Sequence, residues 1–182
     1  FEMTLSEFKP IFMFEYLHRI LGRIIGIIFF IPLLYFTLRK AIPPVLIPRL
    51  YLLLILGGFQ GVLGWYMVKS GLVDDPNVSQ YRLTAHLGMA VFIYSLILWT
   101  VFDLSLNYNH AIRSRIKWMS STLTLLIFLM ILSGGLVAGT RAGIPFPTWP
   151  LMGDTFIPPQ IYSMNPSWLS AFEDMATIQF NH

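Results

Sequence analysis

The chain contains no cysteine, and only 12% of its 182 residues are Asp, Glu, Lys or Arg. Without cysteine it has no disulfides, thiolate metal sites, iron–sulfur clusters or cysteine nucleophiles. Soluble domains carry about 25% charged residues. Half that share, with a mean hydropathy of +0.66, argues against a soluble enzyme or a disordered chain. The twelve Lys and Arg leave a net charge of +3 but gather in no basic stripe, so no nucleic-acid partner is expected. The chain opens on Phe1 and stops at His182, just after an apparent helix start. We expect an internal piece of a longer protein, in which case the lack of a signal peptide is uninformative.

What the chain has in abundance is apolar residues, 55% of the total. Four stretches reach the length of about 20 residues that a bilayer span needs: 11–38, 50–68, 83–102 and 118–140. They are too long for strands and lack strict alternation. Pro43, Pro44 and Pro48 separate the first two, Asp74, Asp75, Pro76 and Asn77 the next two, and Asn107, Tyr108 and Asn109 the last two. The expected fold class is all-α, an integral membrane helix bundle with four transmembrane helices in this chain.

Basic loops face the cytoplasm or matrix. Arg39, Lys40 and Arg49 lie in the first link, and Arg113, Arg115 and Lys117 in the third. The N-terminus, the second link and the segment 143–177 are then expected on the outer side. That segment carries six prolines, too many for a fifth span, but Trp149, Phe156, Ile157, Tyr162 and Trp168 argue against disorder. It reads either as a cover over the outer face of the bundle or as an interfacial aromatic belt.

Charge inside a membrane helix is costly and usually functional. The first span opens with Glu15, His18, Arg19 and Arg23, at spacings of three and four that share a helical face. Gly22 and Gly26 extend a strip without side chains beyond His18. The third span carries His86 shortly after its outer start, with Gly88 beside it. Both helices start outside, so both imidazoles sit near the same depth. That suits a six-coordinate haem with one axial ligand from each helix. The plainer reading is a pair of helix–helix hydrogen bonders. Zinc is disfavoured because no third ligand stands at a metal-binding spacing, and His110 reads as a solvated loop residue. Gly57, Gly58, Gly61 and Gly64 in the second span signal helix packing more than ligand contact. Lys69, Arg82 and Arg141 lie on the side where cations are not expected. They are candidates for pairing with haem propionates, or simple surface charge.

Several motifs carry a family resemblance. Glu15-Tyr16-Leu17-His18-Arg19 with Gly22-Arg23, the run from Gly58-Phe59-Gln60-Gly61 through Gly64-Trp65-Tyr66-Met67-Val68-Lys69, and Gln80-Tyr81-Arg82-Leu83-Thr84-Ala85-His86 lie in order along the chain. Ser133-Gly134-Gly135 through Gly139, Trp149-Pro150-Leu151-Met152-Gly153 and Gln179-Phe180-Asn181-His182 follow. Together they resemble the haem A synthase family, most closely its mitochondrial and proteobacterial branch.

The resemblance implies an eight-helix protein of two similar halves, of which the four spans are helices two to five. Residues 1–110 are then most of the N-terminal, substrate-binding half, and 111–182 the start of the C-terminal half. It further implies His18 and His86 as axial ligands in the first half and His182 as one ligand in the second. Haem O and haem A would be substrate and product in the first half, and haem b the electron relay in the second. Other implied partners are membrane lipid, haem O synthase, an electron donor and cytochrome oxidase assembly factors, with an oligomer compatible. The location would be the bacterial cell membrane or mitochondrial inner membrane, with the haem-site histidines toward the periplasmic or intermembrane side.

The implied activity oxidises a ring methyl of haem O to a formyl group. If two histidines hold one iron, either a ligand leaves or oxidation proceeds by electron removal and capture of water. Glu15, one turn before His18, is the candidate catalytic residue, as a proton acceptor or stabiliser of developing positive charge. Its alternative is an ion pair with Arg19. The competing function is a bis-histidine cytochrome that only carries electrons.

Overall fold

The computed structural model describes residues 4–71, 78–106, 114–148 and 150–182. The turns expected at 74–77 and 107–109, together with His110, Arg113 and Trp149, lie outside those residues. Among the described residues, four helices are long and apolar enough to cross a membrane. These are α1 (Leu5–Leu38), α2 (Ile47–Gly71), α3 (Gln80–Ser105) and α4 (Ser114–Thr140). Two short helices follow, α5 (Ser170–Glu173) and α6 (Met175–Asn181). The four-span, all-α reading of the sequence therefore holds. Only 6–11% of the most apolar stretch of each long helix is buried. So much bare apolar surface is untenable in water, and the chain is a multi-pass membrane protein.

The chain forms two compact units, Phe1–Gly61 and Val62–His182, with the boundary inside α2. In the first, α1 begins six residues before the expected 11. The reason is local: the Glu7 carboxylate reaches back to accept from the Thr4 N–H at 2.9 Å and the Thr4 hydroxyl at 2.8 Å, satisfying a donor that helix starts otherwise orphan. Helix α1 ends in a Schellman motif. Ala41 N–H donates to Phe36 C=O at 2.9 Å and Lys40 N–H to Thr37 C=O at 3.0 Å, with Lys40 left-handed at φ 52°. Pro48 then falls in the first turn of α2, where an N–H has no helical partner to lose.

In the second unit α3 and α4 pack antiparallel along a ladder of small residues. A Cβ at Gly139 would stand 2.5 Å from Gln80 Cα, one at Gly135 2.8 Å from Thr84 Oγ1, and one at Gly88 2.6 Å from Leu132 Cδ2. Each step of four residues on α3 meets a step of three or four on α4, so the two backbones approach where side chains are missing. Helix α4 ends as α1 does: Ala142 N–H donates to Val137 C=O at 3.1 Å, and Arg141 is left-handed at φ 56°.

The best-packed core lies beyond α4. Ala142, Ser170 and Thr177 are fully buried and Ile178 is 2% exposed. The buried hydroxyls are paired. Ser170 Oγ accepts from Met164 N–H at 3.1 Å, and Thr177 Oγ1 accepts from Tyr162 N–H at 3.1 Å while donating to Asp174 Oδ2 at 2.6 Å. Asp174 also caps α6 by accepting from Thr177 N–H at 2.8 Å. The segment is tied to the start of α3. Gln80 Nε2 donates to Glu173 Oε2 at 3.0 Å, and the Tyr81 hydroxyl donates to the other oxygen of the same carboxylate.

Candidate functional site

The polar opening of α1 belongs to the first unit. The Arg19 guanidinium donates to the Glu15 carboxylate four residues earlier, and both side chains are about half exposed. Of the two readings of Glu15, the ion pair is thus formed in this structure. His18 and Arg23 are exposed on the same helix. A Cβ at Gly22 or Gly26 would meet no described atom within 4 Å, so the strip beyond His18 is open.

In the second unit two histidine rings sit in closely similar seats. His86 of α3 turns its Cε1 edge toward α2, 3.0 Å from where a Cβ at Gly64 would stand, with both ring nitrogens at 3.6 Å. His182, at the end of α6, turns its Cε1 edge toward α4, 3.2 Å from the corresponding point at Gly134. Each ring lies against a glycine, and each seat would be crowded by a single methyl. The two also share a level. Thr84 and Gly88, flanking His86 on α3, meet Gly135 and Leu132, which bracket the α4 segment facing His182.

The three candidate cations gather at one end of this unit. Arg82 lies over the Tyr66 ring at 4.3 Å and Lys69 over the Trp65 ring at 4.7 Å. Arg141 caps α4 beside Gln80, where α3 begins. Arg82 is one turn from His86, roughly 6 Å along the helix.

The whole chain, residues 1–182, matches the family model COX15-CtaA, described as cytochrome oxidase assembly protein. The chain belongs to that family. It is 50% identical over 185 residues to a heme A synthase of Nitrosospira multiformis, and 46% identical over 180 residues to one of Parvibaculum lavamentivorans. A heme A synthase of Wolbachia pipientis wMel is 38% identical over 183 residues. Each match covers 99% of this chain and 52% of the relative. The chain thus spans about half the length of the curated relatives it matches. No solved structure matches it.

For a member of this family the donor set suits haem. The rings of His86 and His182 lie against bare backbone, and cations stand one turn or more beyond them toward the helix ends. No group of three metal-ligating side chains occurs among the described residues. Gly88 lies buried against Leu132 and serves α3–α4 packing. Of Gly57, Gly58, Gly61 and Gly64, only Gly64 would bring a Cβ within 4 Å of a described atom, and that atom belongs to a histidine. Sequence reasoning missed Ser133, whose hydroxyl lies 2.9 Å from His182 Nδ1. It also missed Glu173, which ties the terminal segment to α3. Ser133 stood inside the resemblance motif without a role, and no local signal links it to a residue 49 positions away.

Proposed function

We propose that this chain is part of a haem A synthase that oxidises a ring methyl of haem O to the formyl group of haem A for cytochrome oxidase assembly. The observation that carries this reading is similarity along the whole chain, 50% identity to a heme A synthase across 99% of its length. The glycine-seated rings of His86 and His182 support it.

In this reading His18, His86 and His182 would bind haem iron. The pairing of His18 with His86 rests on sequence and resemblance alone. Haem O is the substrate of the half containing His18 and His86. Haem b, when bound in the other half, supplies a one-electron relay. Lys69, Arg82 and Arg141 serve the propionates, and Arg19 and Arg23 complete the haem-binding set beside His18. The stacking of Arg82 and Lys69 on Tyr66 and Trp65 holds their charges in place by cation–π attraction. The histidine side faces the periplasm or intermembrane space.

Converting methyl to formyl by electron removal and capture of water takes up one oxygen atom and releases four electrons and four protons, so the site needs an electron acceptor, reached through the relay, and a proton acceptor. Glu15 takes that role. It stands one turn before His18, about 4.5 Å along the axis, and Arg19 orients its carboxylate. Glu15→Gln in the full-length protein should retain haem but lower haem A output by 10²-fold or more, in the range of lost general-base catalysis. Normal output would remove Glu15 from the chemistry.

Extraction of haem from membranes expressing the full-length protein tests the function itself. Haem A or its hydroxymethyl precursor is expected. Haem b alone would indicate an electron-carrying cytochrome instead.

A further inference from the structure

We propose that Ser133 is a positioning residue for His182: its hydroxyl fixes the ring's tautomer and rotation, so that Nε2 is presented to iron. The inference rests on the reading of His182 as a haem ligand and adds to it a residue with no role there.

The argument is one of hydrogen-bond inventory. A serine hydroxyl has one hydrogen to donate and two lone pairs with which to accept. Ser133 Oγ donates to the Met130 carbonyl one turn back, at 2.8 Å. A carbonyl can only accept, so the single hydroxyl hydrogen is committed there. The 2.9 Å contact between Ser133 Oγ and His182 Nδ1 is compatible with that bond only when it runs the other way, with Nδ1–H donating to the hydroxyl, and this is the arrangement proposed. A neutral imidazole protonated on Nδ1 carries its lone pair on Nε2. Ser133 thereby selects the nitrogen available to a metal. The adjacent residue completes the seat. Gly134 lets the ring lie close to α4, its Cε1 3.2 Å from the point a Cβ would occupy. The ring is held at one edge by a hydrogen bond and at another by bare backbone.

Two further contacts hold the end of α6 in register with this seat. Asp174 caps the helix start, and Asn181 Oδ1 accepts from the Tyr162 hydroxyl at 2.9 Å. His182 therefore reaches Ser133 from a short helix fixed at both ends.

An acceptor on the far nitrogen raises the basicity of a ligating imidazole and stabilises the oxidised metal. Removing it should weaken haem retention and raise the potential of the haem that remains. The test uses the full-length protein in detergent or nanodiscs, with Ser133→Ala, Ser133→Thr and His182→Ala compared by low-spin haem content, magnetic-resonance signature and potentiometric titration. His182→Ala should lose one low-spin haem. Ser133→Ala should retain about tenfold less of that haem, with a shifted magnetic-resonance signature and a higher midpoint potential. Ser133→Thr, which keeps the hydroxyl, should restore all three. If Ser133→Ala retains too little haem to titrate, Ser133→Cys, with a weaker acceptor, carries the potential measurement and should shift it the same way. Loss of haem in His182→Ala, with Ser133→Ala unchanged in signature and potential, would overturn the role of Ser133 and leave the ligand assignment standing. Full low-spin haem in His182→Ala would overturn the ligand assignment and the proposal with it.

Discussion

A glycine facing a histidine ring is a contact whose value lies in what is absent. The Cβ of an alanine at position 64 would stand 3.0 Å from His86 Cε1, so the ring would have to move by a few tenths of an ångström. Gly64→Ala should therefore leave the helix intact, and even favour it by up to about 1 kcal/mol of intrinsic propensity, while disturbing His86. Gly58→Ala, whose Cβ would meet no described atom within 4 Å, should gain the same propensity and disturb nothing. Low-spin haem spectra of the two variants in the full-length protein check this. Identical spectra would mean the Gly64 seat has no bearing on the site. The glycines of α2 were legible in the sequence as a packing signal. Which of them faced a histidine was not, because glycines along one helix have the same local chemistry.

At the scale of elements, the α3–α4 pair is held by backbone proximity, while the outer faces of both helices stay apolar and exposed. The closest step is Gly139 on Gln80, where a Cβ would fall 2.5 Å from a backbone atom that cannot rotate away. Gly139→Ala should destabilise the pair by about 1–3 kcal/mol, the usual cost of overpacking. Equilibrium unfolding of the full-length protein in mixed micelles measures it, and a cost below about 0.5 kcal/mol would show the interface yields freely. The helix ends follow another rule. Lys40 and Arg141 occupy the left-handed position of a Schellman motif, where glycine is usual. A non-glycine residue there costs roughly 1 kcal/mol or more, so Lys40→Gly should stabilise the end of α1 and slow amide exchange at Lys40 and Ala41. Unchanged or faster exchange would contradict this. The helices themselves were legible because a run of some 20 apolar residues is a local property. Their ends were less so. The start of α1 at Leu5 depends on a Thr4–Glu7 pair that hydropathy does not register.

At the scale of the molecule, the second unit places its densest packing outside the long helices. Ser170, Thr177 and Ile178 are nearly or fully buried, while the spans present apolar side chains outward. In a bilayer this division is expected: lipid tails cover the outward faces of the spans, so a buried core is needed between helices only along close-packed seams such as that of α3 and α4. The tie between Glu173 and Gln80–Tyr81 fastens this packed segment to α3, and thereby steadies His182. Glu173→Ala should cost about 1 kcal/mol, the net worth of exposed hydrogen bonds whose donors then turn to water, and should speed amide exchange and proteolysis across 142–182 while sparing the middle of α4. Unchanged exchange would show that the segment is held by its own core. The membrane class, the four spans, the family and the candidate ligands were all readable from the chain, because hydropathy, proline and short motifs act over a few neighbouring residues. The tertiary structure alone decided that Gly64 seats His86, that Ser133 and Gly134 seat His182, and that Glu173 holds the terminal segment. Each of these depends on residues far apart in sequence brought within 3–4 Å, and no local pattern encodes such a distance.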